Sequence, residues 1–180
     1  SKRATACPGP GAPIPGHFDL VDSLDYEVEL AVVLGKDAKN VTQETAMDCV
    51  FGYTILNDVS ARNLQTGHKQ WYFGKSLDGF APMGPCIVTR EEFAWPPAQA
   101  IRAWVNGELR QEAVTDQLIF SIPHILQELS RGMTLQAGTV IATGTPAGVG
   151  MGFDPPKFLQ SGDVVRCEIQ GIGVLENPVL

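Results

Sequence analysis

Short apolar runs, interrupted by glycine and proline, dominate the hydrophobic pattern of this chain. Residues 25–34 form one such run, in which polar and apolar side chains alternate at the start, and residues 53–57 form a second. A period of two predicts β-strands, because successive side chains on a strand point to opposite faces. Further strands are predicted at residues 139–143, 164–169 and 174–176. The pattern therefore predicts a chain built mainly of strands.

Turn and capping residues predict one hairpin and a few short helices. Asn106-Gly107, between two alternating runs, favours a type I′ hairpin turn. Thr42 and Ser121 are suitable N-caps, and each predicts a helix after it. We expect the second helix to continue to about Arg131 and to bury Leu129. Together these signals predict a β-dominated α+β fold with two or three short helices.

Composition and charge narrow the functional classes. A chain of 180 residues with 44% apolar and 18% charged residues fits one globular domain. A net charge of −7 argues against binding to nucleic acids and to anionic membrane surfaces. The sequence contains no run of 18 apolar residues, so it predicts no transmembrane helix. The four cysteines have no metal-site spacing. We therefore expect reduced thiols and an intracellular, cytoplasmic location, with a mitochondrial one left open.

Glu27 and Glu29 are the first candidates for chemistry. On a strand, residues i and i+2 share a face roughly 6.6–6.8 Å apart. Two carboxylates this close on a half-buried strand are unfavourable unless a cation neutralises them, and a hard divalent metal is the simplest choice. A solvated outer face is the alternative, and the spacing alone leaves both open. Asp58, at the end of the second run, is by itself an ordinary turn residue.

Three more polar residues are candidates by position. Arg62 and Gln65 follow Asp58 by four and seven residues, so they would share its face on a helical turn. Lys75 lies in the Gly-, Pro- and aromatic-rich part of residues 59–85, and a loop of that length in a compact domain is typically functional. Each of these residues, taken singly, is equally compatible with a solvated surface position.

Six sequence blocks occur in order along the chain. They are Tyr26-Glu27-Val28-Glu29-Leu30, Asn57-Asp58-Val59-Ser60-Ala61-Arg62, Gly74-Lys75-Ser76-Leu77-Asp78, Ala81-Pro82-Met83-Gly84-Pro85, Val105-Asn106-Gly107-Glu108 and Ala142-Thr143-Gly144-Thr145-Pro146-Ala147-Gly148-Val149-Gly150. In this combination the chain resembles, nearly end to end, the catalytic C-terminal domain of the fumarylacetoacetate hydrolase family. Lys69-Gln70-Trp71 and residues 155–159 look most like the eukaryotic proteins of the second type with this domain. For that branch, keto–enol tautomerisation of oxaloacetate is a proposed activity.

The resemblance implies a fold, a metal site and a substrate site. The fold would be a mixed β-roll or β-sandwich, commonly dimeric. The metal would be Mg²⁺, or else Mn²⁺ or Ca²⁺, held by Glu27, Glu29 and Asp58. Lys75 would be the catalytic amine beside it. The residues facing the substrate would be Arg62, Gln65 and, for its carboxylate, Thr145.

The sequence departs from part of the family in one respect. Acylpyruvate hydrolases of the family carry a His/Glu pair on an N-terminal lid, upstream of the segment corresponding to residues 1–12. We therefore expect residues 1–180 to form a single catalytic domain without that lid segment. Hydrolysis needs a base that activates water, so its mechanism is the part that the departure affects.

The chemistry expected from these residues centres on a small 2-oxo acid, with a dicarboxylate favoured, such as oxaloacetate or an acylpyruvate. The metal would stabilise an enolate, which can lead to tautomerisation, decarboxylation or C–C hydrolysis. Lys75, with a pKa lowered by the cation and by burial, would move the proton, and Arg62 would pair with the distal carboxylate. We place an isomerase or lyase activity ahead of hydrolysis. A catalytically impaired relative with a structural or binding role is the remaining alternative.

Overall fold

Antiparallel strands make up most of the regular structure in the computed structural model, which describes residues 1–67 and 69–180. The strands are β1 (Leu24–Asp25), β2 (Val28–Leu34), β3 (Val50–Asn57), β4 (Ser60–Ala61), β5 (Met83–Thr89), β6 (Ala100–Val105), β7 (Glu108–Val114), β8 (Val140–Ala142), β9 (Val164–Ile169) and β10 (Gly173–Pro178). The helices are α1 (Gln43–Ala46), α2 (Arg62–Gly67), α3 (Trp71–Lys75) and α4 (Ile122–Ser130). The β-dominated α+β class expected from the sequence is confirmed.

The strands form two four-stranded sheets and one short ladder. The first sheet, which we call the site sheet, has the order β5-β3-β2-β8, and the second, the outer sheet, has the order β10-β9-β6-β7. The ladder pairs β1 with β4. In the outer sheet, the predicted hairpin joins β6 to β7, and both of its turn residues have positive φ, 51° at Asn106 and 80° at Gly107. These angles are those of the predicted type I′ turn.

The predicted strand over residues 25–34 divides in two. Its β-ladder in the site sheet begins only at Val28, so Glu27 lies just before the strand rather than within it. The cause is hydrogen bonding to the end of β3, about 30 residues away along the chain. The Glu27 N–H donates to the Asn57 side-chain carbonyl at 3.0 Å, and the Glu27 carbonyl accepts from the Asp58 N–H at 2.8 Å. These bonds tie the start of β2 to the end of β3.

One hydrophobic core lies between the two sheets. Alternate side chains of β2, such as Val28, Leu30 and Val32, pack in the same cluster as buried residues of the outer sheet, such as Ala103 and Cys167. The opposite face of β2 carries Glu29 and Ala31, and Ala31 belongs to a smaller second cluster. The site sheet is therefore covered on both faces where β2 runs through it.

The helices follow their capping signals. Thr42 and Ser121 are the N-caps of α1 and α4, as predicted. Leu126 is fully buried on α4, but Leu129 is 38% exposed, so the prediction that it points inward is wrong. No helix in the described ranges reaches the length and hydropathy that a membrane span requires.

Residues 59–85 are less irregular than their composition suggested. The described part of this stretch contains β4, α2, α3 and the start of β5. Gly74 allows α3 to lie directly on the neighbouring backbone, because a Cβ there would come within 2.6 Å of the Gln65 nitrogen and 2.8 Å of the Ala61 oxygen. This close contact fixes the position of Lys75, the next residue along the chain.

Candidate active site

Three carboxylates meet where β2 begins and β3 ends. Because the two strands are antiparallel, Val28 pairs with Asn57, which brings the residues beside them together. Glu27, Glu29 and Asp58 each offer a carboxylate oxygen, and these oxygens lie within 4.8 Å of one another. The side chains are buried, with residue exposures of 7%, 4% and 7%. The structure thus brings together the three residues predicted from the sequence as a metal-binding group.

Two of the three carboxylates have cationic partners. Glu27 contacts Arg62 Nη2 at 2.6 Å and Lys75 Nζ at 2.8 Å. Asp58 contacts Lys75 Nζ at 2.5 Å through Oδ2 and Lys2 Nζ at 2.8 Å through Oδ1. Burial would raise the pKa of Asp58, but the two ammonium groups outweigh burial and lower that pKa below its ordinary value.

Glu29 lacks such a partner. Within the described ranges it forms no ion pair, and its Oε2 accepts one hydrogen bond, from the Gly144 N–H at 2.7 Å. Burial, reinforced by the charge of Asp58, raises the pKa of Glu29 to about 8. An ionised carboxylate in this position needs additional positive charge nearby. The oxygen donors and the unmet charge of Glu29 both fit a hard divalent cation.

Lys75 lies between two acidic groups. Burial alone would lower the pKa of its ammonium group, but the carboxylates of Asp58 and Glu27 outweigh burial and raise that pKa. The prediction of a lowered pKa therefore does not describe the protein without a cation. That prediction assumed a cation bound to the same carboxylates. Such a cation would have to displace the ion pairs that Lys75 forms with Glu27 and Asp58.

Arg62 and Gln65 lie together on α2. Arg62 Nη1 donates to Gln65 Oε1 at 3.0 Å, and the two residues are three apart on the helix. Arg62 Nε donates to Asp25 Oδ2 at 2.9 Å. Burial would lower the pKa of Arg62, but Glu27 and Asp25 together raise it. Arg62 is therefore a fixed, charged group that joins Gln65 to the carboxylate cluster.

Asp25 is an important residue that the sequence analysis missed. It is fully buried and accepts hydrogen bonds from the N–H groups of Tyr26, Gly150 and Met151 in addition to Arg62. A signal was present, because Asp25 continues the alternation of Glu27 and Glu29 by one more step toward the N-terminus. Its role is to hold Arg62 against the turn at residues 150–151.

Lys2 is a second omission. Its Nζ contacts Asp58 Oδ1 and donates to the carbonyl oxygens of Val59, at 2.9 Å, and Phe80. Nothing in the local pattern could have indicated this, since a lysine is normally solvated and the partners of Lys2 lie more than 50 positions away. With Lys2, the described part of this cluster holds four buried carboxylates, one buried cation and two partly buried ones. They are Asp25, Glu27, Glu29 and Asp58 against Lys2, Arg62 and Lys75.

Thr145 approaches the cluster through its neighbour rather than directly. Gly144 contacts Glu29, whereas the Thr145 hydroxyl donates to the Val28 carbonyl at 2.9 Å and accepts from Gln111 Nε2 at 2.8 Å. Gln111, on β7, is fully buried and was also missed by the sequence analysis. An alternating strand with a polar residue at an inward position was its only signal.

A cavity of about 490 Å³ lies beside residues 143–147. Its lining is mainly apolar and includes Leu30, which points away from Glu29 because the two are successive residues of a strand. Other lining residues are Ile101, Val114, Leu118, Ile119, Phe120 and Ile125. The cavity and the carboxylates are therefore on opposite sides of β2 and share only the segment at residues 143–147.

Comparison with known proteins agrees with this architecture. The family model described as fumarylacetoacetate (FAA) hydrolase C-terminal matches residues 1–180. The chain is 49% identical over 179 residues to the oxaloacetate tautomerase YisK of Bacillus subtilis, covering 99% of this chain and 60% of that protein. The 46%-identical proteins of Staphylococcus aureus, of which this chain covers 58%, are described as uncharacterized. The chain thus spans about 60% of the length of these relatives.

Solved structures show the same fold. A fumarylacetoacetate hydrolase from psychrophilic Exiguobacterium antarcticum superposes with a TM-score of 0.92 at 54% identity, covering 95% of this chain and 61% of that one. A 2-hydroxyhepta-2,4-diene-1,7-dioate isomerase from Mycobacterium marinum superposes with a TM-score of 0.85 at 41% identity, covering 96% of this chain and 64% of that one. The similarity therefore includes proteins named as isomerases and proteins named as hydrolases.

Proposed function

The chain belongs to the fumarylacetoacetate hydrolase family, and on that premise we propose that it is a divalent-metal-dependent enzyme acting on a small 2-oxo dicarboxylic acid. Keto–enol tautomerisation of oxaloacetate is the reaction that we put first. The observation that carries the proposal is a contrast within the described residues: Glu29 is buried without an ion-pair partner there, whereas cations surround Glu27 and Asp58. The name of the Bacillus subtilis relative supports the choice of reaction.

Glu27, Glu29 and Asp58 would hold the metal, which we propose to be Mg²⁺, with Mn²⁺ and Ca²⁺ as alternatives. A bound divalent cation would act as a Lewis acid toward the keto and carboxylate oxygens of a 2-oxo acid. Charge also favours an anionic substrate. Four carboxylates face three cations in the described part of the cluster, so a divalent cation would leave the site positive enough to accept a carboxylate.

Lys75 would move the proton between carbon and oxygen of the substrate. Its ammonium group now divides its contacts between Glu27 and Asp58, so a competing cation on these carboxylates would release Lys75 and lower its pKa toward the range useful for catalysis. In the described part of the chain, the cationic side chains that contact the three carboxylates and can transfer a proton are Lys2 and Lys75. Tautomerisation needs only such proton transfer, whereas hydrolysis must also activate water, and this favours tautomerisation.

Arg62 and Gln65 would recognise the distal carboxylate. Each terminal nitrogen of Arg62 carries two N–H groups, and the contacts to Glu27 and Gln65 use one on each. The two that remain could bind a carboxylate with two hydrogen bonds. Thr145, beside Gly144, would contact the carboxylate next to the keto group.

Titration of the metal tests the proposal. In calorimetry, Mg²⁺ should bind the wild type at millimolar concentration or below, and Glu29→Ala should weaken binding at least tenfold. Glu168→Ala is the matched control, because Glu168 pairs with Arg166 on the outer sheet and should leave binding unchanged. No binding to the wild type, or equal binding to Glu29→Ala, would sink the enzyme proposal.

The reaction is tested with three assays run in parallel. Decay of the oxaloacetate enol, formation of pyruvate from oxaloacetate, and cleavage of an acylpyruvate report tautomerase, decarboxylase and C–C hydrolase activity. We expect the first to be the fastest. If acylpyruvate cleavage is the fastest instead, the alternative of a C–C hydrolase replaces the tautomerase. If none proceeds although Mg²⁺ binds, the impaired relative is the better reading.

We also propose a homodimer. Ile119 and Phe120 are 92% and 58% exposed, and Trp71, the first residue of the active-site helix α3, is 63% exposed. Exposed apolar residues of this size commonly mark contact surfaces. Light scattering after size exclusion should give twice the mass of one chain, and Ile119→Asp should shift that mass to the monomer. A monomeric wild type would contradict the proposal.

A further inference from the structure

Gln111 completes the edge of β2 beyond the residues that pair with β8. In the site sheet, β8 pairs with β2 only at Ala31–Val33. Further toward the start of β2, the Val28 N–H donates to Gln111 Oε1 at 3.1 Å, and the Val28 carbonyl accepts from the Thr145 hydroxyl at 2.9 Å. Side chains therefore bind the two backbone groups of Val28 that a neighbouring strand would otherwise bind.

The same amide also binds the turn that follows β8. Gln111 Nε2 donates to Thr145 Oγ1 at 2.8 Å and to the Pro146 carbonyl at 2.7 Å. Val28, Gln111 and Thr145 thus form a closed ring of hydrogen bonds, in which every N–H of the Gln111 amide is used. Val28 is the residue between Glu27 and Glu29, so the ring holds the backbone that carries both carboxylates.

The ring also limits what Thr145 can offer a substrate. Its hydroxyl proton is donated to Val28, so the hydroxyl cannot donate to a carboxylate without leaving the Val28 carbonyl unpaired. The Thr145 N–H, in contrast, makes no hydrogen bond to any residue in the ranges 1–67 and 69–180. It adjoins Gly144, whose own N–H donates to Glu29. The backbone is therefore the part of Thr145 that remains available to bind an anion.

We propose that Gln111 is a positioning residue, which sets the Glu27–Glu29 backbone and the Gly144–Thr145 turn as one unit, so that cation binding and substrate-carboxylate binding both depend on it. This inference rests on the proposed function. Gln111 has no exposed surface and cannot touch a substrate, so any effect of its replacement on substrate binding must pass through the ring. Thr145 then binds the substrate carboxylate through its N–H and not through its hydroxyl.

Gln111→Met is the main test, because Met has a similar shape and no amide. We expect the Kd for Mg²⁺ to rise about 10- to 100-fold, as for other residues that orient metal ligands. The KM for oxaloacetate should rise by a similar factor, with a smaller fall in kcat. Gln99→Met is the matched control, since Gln99 is a buried glutamine bound to a threonine, Thr115, away from the carboxylates. It should lower stability without changing Kd or KM.

Thr145 provides a second test if Gln111→Met does not fold. Thr145→Val removes the hydroxyl from the ring and should raise Kd and KM as Gln111→Met does, whereas Thr145→Ser keeps the hydroxyl and should restore both. If Thr145→Val leaves Kd and KM unchanged, the inference is overturned. Where Gln111→Met does fold, the variant that combines it with Thr145→Val should be no worse than either single one, because both changes break the same ring. Additive effects of the two changes on KM would mean that the hydroxyl binds the substrate directly, and would overturn the inference.

The outcomes separate this inference from the proposed function. If the wild type binds Mg²⁺ and Gln111→Met behaves like Gln99→Met in stability, Kd and KM, Gln111 is only structural and the inference fails alone. If the wild type binds no cation, the proposed function fails. Hydrogen exchange then tests separately whether Gln111 holds the ring of hydrogen bonds together. Exchange at the Val28 amide should then be at least tenfold faster in Gln111→Met, and unchanged exchange would overturn the ring as well.

Discussion

The site sheet and the outer sheet have the same number of strands but bury them differently. Every residue of β2 is buried, and so are all but one residue of β3, whereas β6 and β9 alternate between buried and more exposed positions. A polar residue on the outer sheet can face solvent, as Glu168 does in part. A polar residue on β2 or β3 is held away from solvent, so a carboxylate there needs partners inside the protein. Whether an acidic residue needs a charged partner therefore depends more on the burial of its strand than on its spacing from other acidic residues.

The largest effect on activity should come from replacing Lys75, which contacts the carboxylates of Glu27 and Asp58. Lys75→Ala should reduce kcat of the tautomerase by about 10²- to 10⁴-fold, the usual contribution of a general acid or base. Its effect on Mg²⁺ affinity should be small or favourable, because a competing cation on Glu27 and Asp58 is removed. Steady-state kinetics with calorimetry measure both.

Lys157→Ala is the control, as this lysine pairs with Glu108 at the surface. It should keep full activity. Full activity of Lys75→Ala would instead show that Lys75 does not transfer the proton.

A core change in the outer sheet should damage stability and spare the chemistry. Leu175 on β10 is fully buried, and Leu175→Ala should lower the free energy of unfolding by about 2–5 kcal/mol. The Kd for Mg²⁺, measured below the unfolding temperature, should stay within twofold. Urea denaturation gives the first quantity and calorimetry the second. A large loss of Mg²⁺ affinity would show that the two sheets are not separable in this way.

The pH dependence should reveal the unpaired carboxylate of the site sheet. Because the folded-state pKa of Glu29 is raised to about 8 from 4.5, its protonated form favours the folded state. That contribution is fully present below pH 4.5 and is lost as pH rises through about 8. Without metal, the melting temperature should therefore fall over this range more steeply in the wild type than in Glu29→Gln.

Thermal melts at several pH values measure this difference, and added Mg²⁺ should remove the wild-type loss by stabilising the ionised carboxylate. Parallel pH profiles for the wild type and Glu29→Gln would contradict the raised pKa.

The smallest effect should come from an acidic residue of the outer sheet. Glu168 pairs with Arg166 at 2.8 Å, but both side chains are substantially exposed. Exposed ion pairs contribute little, so Glu168→Gln should change the free energy of unfolding by less than about 1 kcal/mol. Denaturation at low and high salt measures the change. A loss as large as that of a buried pair would break the contrast between the two sheets.

The sequence predicted the outer sheet better than the site sheet. Asn106-Gly107 and the alternation on either side of it are local signals, and the hairpin that they predict is present. At Glu27 the local signal misled, because a side chain of another strand, Asn57, takes the hydrogen bond that a ladder would use. No pattern within residues 25–34 contains that information.

The candidate site was predictable where it rested on quoted sequence blocks. Glu27, Glu29 and Asp58 lie together as the resemblance implied, Arg62 and Lys75 contact them, and Gln65 contacts Arg62. Asp25, Lys2 and Gln111 were missed because their partners are distant along the chain, and only the folded protein shows them together.

The dispersed origin of the site residues has a consequence for folding. Segments from Lys2 to Met151 must all be in place before the carboxylates and their partners meet, so partly folded chains cannot present the site. A ligand that binds only the folded state shifts the folding equilibrium toward it, by about 2.7 kcal/mol at a concentration of 100 times its Kd. Divalent cations should therefore protect the whole chain from proteolysis, far from the carboxylates that bind them.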